Sequence, residues 1–522
     1  MQELDKTDFS MLYPIGIQTF SDIRRDGYVY VDKTAHIHKL ASTGKYYFLS
    51  RPRRFGKSLL VSTMEAYFSG RKELFGGLAM DSLEKDWKEY PVLHLDFSGK
   101  AYNASDVLLK ALDDALYKWE NEYGSENRSD VPGIRFGNVV EAAFRKTGRQ
   151  AVILIDEYDK PIVDNLTRPE LREEFRETLQ GFYSVMKSKD AFIKFGFLTG
   201  VTKIGRMSVF SGLNNIQDIS MDGRYVDICG ITEGELRRYF GESVQELAAT
   251  NRLSTDECYL KLARMYDGYH FCEDTAGIYN PFSILNTFSK MKFGEYWFET
   301  GTPSFLVKYL KEGNYNLDNI SKNDVSPEEL SGVNYADPQP ITLMYQSGYL
   351  TIKSYDTEFH SYYLDYPNEE VKSGFLKSLS QMFAPRLNEG EFAVSRFVRA
   401  IRSGNTEDFM TRFTAFLSSN GYDVQGDLEL YFQNTMSVMF KMMGLYVKTE
   451  YQTSNGRIDI VMDTADYVYI IEIKRDQSPE TALRQIEEKG YAKPFLASGK
   501  KIIRLGINFS SATRSVDGWE IG

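Results

Sequence analysis

Tyr46-Tyr47-Phe48-Leu49-Ser50-Arg51-Pro52-Arg53-Arg54-Phe55-Gly56-Lys57-Ser58-Leu59-Leu60-Val61-Ser62-Thr63-Met64 decides how the rest of the chain is read. The first five residues are apolar, β-prone and too few for a helix, so they read as a buried strand. The last seven open a helical stretch expected over Ser58 to Phe68. Between strand and helix stands a loop ending Gly56-Lys57-Ser58. That order of parts lets helix amides and a lysine receive phosphate oxygens while a hydroxyl meets Mg²⁺. Lys57 is the candidate for the β- and γ-phosphates, Ser58 for the ion, and Gly56 for the close approach of backbone to ligand. The general pattern has a glycine where this chain has Arg51, so the loop path departs from the usual one.

Outward from this stretch, Val92 to Phe97, Ala151 to Asp156 and Phe192 to Thr199 read as further short buried strands. Helices are expected over Ala104 to Glu122 and Arg168 to Met186. Strands alternating with helices predict a parallel α/β sheet with crossover connections. The third strand delivers two carboxylates at its end. Asp156 is the candidate for holding Mg²⁺ through its water shell, and Glu157 for activating the attacking water. The fourth strand ends Thr199-Gly200-Val201-Thr202-Lys203-Ile204-Gly205-Arg206, where Thr199 or Thr202 is placed to sense the γ-phosphate. Arg53, Arg54, Lys203 and Arg206 are candidates for neutralising phosphate charge. The residues do not choose among them.

Composition narrows the class. A length of 522 residues points to about two to four domains. With 42% hydrophobic and 26% charged residues, the chain is neither collagen-like nor largely disordered. A net charge of −11 excludes a protein that coats nucleic acid by overall basicity, so any such contact is local. Three cysteines, Cys229, Cys258 and Cys272, are too few and too scattered for a disulfide framework or a four-ligand zinc site. With no targeting or spanning segment visible, a cytoplasmic location and no membrane partner are expected.

Several blocks together carry a resemblance: Tyr13 to Phe20 (YPIGIQTF), Tyr30 to Thr34 (YVDKT), Arg51 to Ser58 (RPRRFGKS), Ile155 to Pro161 (IDEYDKP) and Tyr266 to Tyr269 (YDGY). They resemble the bacterial AAA-ATPase-like family whose members carry a C-terminal nuclease domain. The resemblance covers Arg51, which departs from the general loop but not from these relatives. It implies an additional-strand P-loop ATPase that uses ATP and Mg²⁺, with adenine held partly by the N-terminal segment. His270 is a candidate either for the nucleotide or for the core.

A second constellation lies near the C-terminus. Arg457 to Met462 and Tyr467 to Lys474 read as a hairpin that brings Asp459 towards Glu472, with Lys474 two residues on and therefore on the same face as Glu472. Two carboxylates beside a lysine suit metal-dependent phosphodiester hydrolysis, with Asp459 and Glu472 on Mg²⁺ and Lys474 on the water. Mn²⁺ is an alternative ion. With the preceding helix around Glu429 and the following one over Glu480 to Lys489, this segment resembles the PD-(D/E)XK nuclease superfamily. The resemblance implies Glu429 as the early helical carboxylate, and Gln485, Lys489 and Tyr491 as the late motif.

The expected organisation is a P-loop ATPase domain over 1–226, a helical lid over 227–299, a winged-helix-like region over 300–384 and a PD-(D/E)XK nuclease-like domain over 385–522. Strands are also expected over Val447 to Gln452 and Lys501 to Phe509. The function expected is ATP binding and hydrolysis coupled to cleavage of nucleic acid, DNA in the first instance, with lid movement relayed through 300–384. The alternative is a nucleotide-dependent switch whose C-terminal domain binds nucleic acid without cutting it. A homo-oligomer is compatible with both, since a neighbouring copy can supply a catalytic arginine.

Overall fold

The computed structural model describes residues 11–522 except 127–128, 204–214, 301–303, 314, 318–323, 332–338, 389, 391–392, 420–427, 455–456 and 514. The chain divides into two units, Met1–Gly301 with Asn323–Val371, and Thr302–Lys322 with Lys372–Gly522.

The first unit is built on five parallel strands: β1 (Tyr46–Ser50), β2 (Val92–Asp96), β3 (Ala151–Asp156), β4 (Ile193–Gly200) and β5 (Gln217–Asp218). Their order is β2-β3-β4-β1-β5. An additional strand, β4, therefore separates the strand of the phosphate loop from the strand of the two carboxylates. β1 and β3 are buried along their whole length, as their continuous apolar sequences require of strands covered on both faces. Crossover helices α1 (Lys57–Phe68), α2 (Ser105–Tyr123), α3 (Pro132–Thr147) and α4 (Pro169–Tyr183) follow the strands. The expected helix to Met186 breaks at Ser184, and a short turn of helix, Val185–Ser188, continues it. α3 is absent from the sequence expectations because Gly133 and Gly137 interrupt its helical pattern. Both glycines are packing residues: a Cβ at Gly133 would stand 2.7 Å from the carbonyl of Gly181 on α4.

Beyond β5 the unit becomes helical, with α5 (Glu233–Thr250), α6 (Thr255–Tyr266) and α7 (Pro281–Lys290). The start of α5 is set by a capping box, visible in the sequence as Thr232 with Glu235 three residues on, in which the two exchange side-chain and backbone bonds. Ser254 and Glu257 repeat it on α6. These helices share a core of Leu236, Phe240, Val244, Leu262, Ile284 and Phe288, all 0% exposed. Each such side chain contributes about 1.5–3 kcal/mol through burial. The unit ends with α8 (Pro340–Ser347) and a three-stranded sheet, β6 (Asp324–Val325), β8 (Ser361–Asp365) and β7 (Thr351–Asp356), in the order β6-β8-β7.

The second unit has helices α9 (Val394–Arg402), α10 (Thr406–Ser419) and α11 (Leu428–Met443), then strands β9 (Lys448–Ser454), β10 (Arg457–Asp463) and β11 (Tyr467–Arg475). Helix α12 (Pro479–Lys489) and strands β12 (Lys501–Ser510) and β13 (Ser515–Ile521) complete it. The sheet is mixed, in the order β13-β12-β11-β10-β9, with only β11 and β12 parallel. Period-two alternation places Val468 and Ile470 of β11 against Ile486 of α12, while Glu472 and Lys474 continue the same face. Among the described residues of the chain, no helix is long and apolar enough to cross a membrane.

Candidate functional site

In the first unit the candidate residues converge at the C-terminal ends of β1, β3 and β4. Gly56 has φ +92° in the left-handed region, with nothing within 4 Å of an added Cβ, and it turns the loop into α1. Lys57 is buried and its Nζ donates to the carbonyls of Arg51 (2.9 Å) and Pro52 (3.0 Å). The Ser58 hydroxyl stands beside the Asp156 carboxyl and favours its charged form. Burial pushes the Lys57 amine down, and the charges of Glu157, Asp156 and Asp159 draw it back. Burial likewise pushes the carboxyls of Asp156, Glu157 and Asp159 up, against the pull of Lys57 on each. The buried Asp156 and Asp159 and the half-buried Glu157 thus all act on one lysine. This surplus of oxygen donors and negative charge fits a hard divalent cation held by Ser58 and Asp156.

Arg51 explains the missing glycine. Its guanidinium is 1% exposed and turned into the protein, donating to the carbonyls of Ser50 (2.9 Å), Ser220 (2.7 Å) and Tyr225 (3.1 Å). It also lies 3.9 Å from the ring centre of Phe271. Burial lowers its pKa from the ordinary value. The loop is held from within by a side chain rather than shaped by a flexible residue. The sequence marked Arg51 only as standing in place of a glycine; no signal there showed that it is buried or which carbonyls it binds.

Those two arginines have separate settings. The Arg53 carbonyl accepts a bond from Trp297 Nε1 (3.0 Å), and its charge draws down the Glu157 carboxyl. Arg54 is exposed at φ +66°, with its guanidinium 5.1 Å over Phe282. Lys203 is buried and paired with Asp218 at 2.9 Å, which accounts for its charge within the fold. Arg206 lies outside the described residues. His270 is engaged structurally, its ring Nδ1 on the Thr275 carbonyl (2.8 Å) and its backbone N–H donating to Thr351 Oγ1 (2.7 Å).

Thr199 and Thr202 differ. Both are buried at the end of β4, but the Thr202 hydroxyl donates to Asp159 (2.7 Å), whereas Thr199 Oγ1 has no partner among the described residues. Beside Gly56 opens an apolar pocket lined by Pro14, Val31, Ile231, Phe240, Pro281 and Leu285. It joins the N-terminal segment to α5 and α7, residues too far apart in sequence for any local motif to mark.

The second unit gathers its own group. Lys474 Nζ donates to Glu472 Oε1 (2.6 Å) and to Gln485 Oε1 (2.5 Å). The lysine and glutamate side chains are 7% and 1% exposed. Asp459 is the register partner of Glu472 across β10 and β11. Gly506 pairs with Glu472 on the other side, and a Cβ there would stand 2.3 Å from the carbonyl of Pro479. The missing side chain lets α12 settle close to β12, and Gln485 on α12 reaches Lys474 on β11. Tyr491 packs against the apolar cluster of Val468, Ile470, Ile486 and Ala492, and Lys489 is exposed. Glu429 falls on α11; its side chain, like that of Asp459, lies outside the described ones. Among the described residues, no three or more His, Cys, Asp or Glu side chains form a cluster able to hold a metal on their own.

Comparison with known proteins agrees with this division. A family model described as predicted AAA-ATPase matches residues 14–210, and one described as PD-(D/E)XK nuclease superfamily matches residues 427–519. The chain is 38% identical over 519 residues to an "Uncharacterized protein in vnfD 5'region" of Azotobacter chroococcum mcd 1, covering 97% of this chain and 98% of that protein. No solved structure matches it. The two family matches suggest ATPase and nuclease-like roles.

Proposed function

Because the chain belongs to the predicted AAA-ATPases with a C-terminal PD-(D/E)XK nuclease superfamily domain, we propose that it hydrolyses ATP and, under nucleotide control, cleaves nucleic acid, DNA first. The observation that carries the cleavage half is the buried pair of Glu472 and Lys474, with Gln485 bonded to the lysine and Asp459 in register beside it. A bland amphipathic strand would leave such charges in water.

At the nucleotide site, Lys57 exchanges its two loop carbonyls for the β- and γ-phosphates, and the first amides of α1 receive the remaining oxygens. Ser58 and Asp156 hold the Mg²⁺. Glu157, its pKa raised by burial, is suited to accept a proton from the attacking water. The unpartnered Thr199 hydroxyl faces the γ-phosphate, and Thr202 supports it from behind. Arg53, and with it Arg54, balances phosphate charge. The apolar pocket beside Gly56 takes the adenine ring, and the helices α5 to α7 act as the lid over it.

At the second site, Asp459 and Glu472 hold a divalent cation, with Glu429 as a further carboxylate. Bound there, the ion lowers the pKa of water and neutralises charge on the scissile phosphate. Lys474 holds the attacking water, Gln485 fixes the orientation of Lys474, and Tyr491 seats α12. The region of α8 and the β7–β8 hairpin is proposed as a winged-helix-like packing module, within the boundaries 300–384.

The test is cleavage of end-labelled single- and double-stranded DNA by the full chain with Mg²⁺ or Mn²⁺, with and without ATP. Asp459→Ala should abolish cleavage, and Lys57→Ala should abolish its response to ATP. ATP turnover without cleavage under any metal would leave a nucleotide-dependent binding switch in place of the nuclease.

A further inference from the structure

The turn after β3 holds one buried acid for which the phosphate chemistry above has no use. Asp159 is 1% exposed and stands immediately before a short helix, Lys160–Val163. Aspartate in that place ordinarily caps the first amides of the helix. Here the backbone is helical (φ −87°, ψ −10°) and the side chain makes no capping bond. The carboxylate instead crosses to the end of β4. Its Oδ2 accepts from the N–H (2.6 Å) and hydroxyl (2.7 Å) of Thr202, and its Oδ1 accepts from the N–H of Val201 (3.2 Å).

Tyr158 grips the same segment. Its N–H donates to the Thr199 carbonyl (3.0 Å) and its hydroxyl to the Thr202 carbonyl (3.1 Å). Between these contacts only glycine fits: a Cβ on Gly200 would stand 2.4 Å from Asp159 Oδ1 and 2.8 Å from the Tyr158 ring. Glu157 lies between this clamp and Asp156, whose Oδ1 accepts the Glu157 N–H at 3.0 Å. The φ of Glu157 is +51°, a left-handed conformation that costs a non-glycine residue about 1–2 kcal/mol. Such a conformation persists only where its surroundings enforce it.

We infer that Asp159 is a positioning residue: by tying the end of β4 and the residues after it, through Thr202, to the turn after β3, it holds Glu157 in the left-handed conformation that sets where the Glu157 carboxylate stands. The inference rests on the reading of Glu157 as the residue that activates water. The proposed site assigns Asp159 to neither phosphate nor ion, and its oxygens are taken by Val201 and Thr202. Without its bonds to Val201 and Thr202, the turn relaxes and Glu157 leaves its place while Lys57 and Ser58 keep theirs.

The test is a double-mutant cycle on the full chain, with ATP hydrolysis measured in single and multiple turnover and binding of a fluorescent ATP analogue measured beside it. Asp159→Asn should lower kcat at least tenfold while KM and analogue Kd stay within twofold. In a Glu157→Gln background the same change should lower the residual rate less than twofold, because the residue it positions is already disabled. Thr202→Val, which removes only one hydroxyl, should follow the same pattern with a three- to tenfold loss and serves if Asp159→Asn does not fold. Equal loss in both backgrounds, or a Kd that rises with the fall in kcat, overturns the inference. A Glu157→Gln chain with native turnover would remove the water-activating reading itself and the inference with it, an outcome distinct from additivity.

Discussion

Replacing Lys474 by methionine keeps the length of the side chain and removes its ammonium from beside Glu472, 2.6 Å away. The two side chains are 7% and 1% exposed, so water cannot take over the solvation of the remaining carboxylate. Removing one member of a buried pair costs about 3–5 kcal/mol, whereas replacing both by uncharged groups of similar volume is close to neutral. Lys474→Met and Glu472→Gln should each destabilise the second unit by about that amount, and the combination should return to within about 1 kcal/mol of native. Hydrogen exchange read by mass spectrometry on peptides covering β11 is the assay, because this central strand opens only with its unit. At tenfold per 1.4 kcal/mol, its amides should exchange about 100- to 4000-fold faster in either single variant and at about the native rate in the double. Single variants that exchange within threefold of native, or a double variant that exchanges as fast as the sum of its singles demands, would refute the reasoning. The double variant also isolates chemistry from folding: it should be folded and cleave nothing.

The other tests address the first unit. Arg51→Gly restores the glycine of the general loop pattern, yet it deletes three bonds to backbone carbonyls and should destabilise the unit by about 3 kcal/mol or more; thermal unfolding at or above the native midpoint would contradict the internal role of Arg51. Gly200→Ala should cost about 1–3 kcal/mol by overpacking against Asp159 and Tyr158, while Gly181→Ala, in open space on α4, should stabilise by about 0.5–1 kcal/mol. Urea unfolding that ranks the pair the other way refutes this. His94 Nδ1 meets Glu65 Oε2 at 2.9 Å; burial draws the histidine down, but the bond and charge of Glu65 leave it raised above its ordinary 6.5, while the same bond outweighs burial and holds Glu65 below 4.5. The histidine's contribution is complete below pH 6.5 and fades as pH rises through its folded value, and that of Glu65 is present above pH 4.5 and fades as pH falls through its own folded value. The thermal-midpoint gap between native and Glu65→Gln chains should therefore be widest between pH 4.5 and 6.5 and narrow by pH 8; a constant gap would exclude the pair as a pH-dependent contribution.

Local features were legible wherever chemistry follows chain order. The strand, loop and helix around Lys57, the paired acids after β3, the capping box at Thr232 and the hairpin of Asp459 and Glu472 each occupy one short stretch, and periodicity with turn residues locates them. Contacts that depend on which strands become neighbours were not legible. Arg51 was marked as a departure from the general loop pattern, but nothing nearby shows that its partners are the carbonyls of Ser220 and Tyr225. Asp159 stood in the sequence only as one residue of the Ile155 to Pro161 block, because its partners, Val201 and Thr202, lie just past the end of β4, beyond α4 in the chain. β13 was missed since Gly518 breaks its alternation, and β5 spans only two residues.

The position of β1 in its sheet sets a timetable for synthesis. Tyr46 pairs with Gly196 and Phe48 with Asp218, so the strand that carries the phosphate loop has no neighbour until those later residues exist. At ribosomal rates of about 5–20 residues per second, the nascent loop waits about 10–30 s, longer than elementary folding events require. During that interval Tyr46, Tyr47, Phe48 and Leu49, each 2% exposed or less in the finished protein, emerge as a sticky β-prone segment. Chaperone occupancy on ribosome-bound chains should accordingly peak before residue 218 leaves the exit tunnel and fall once it has.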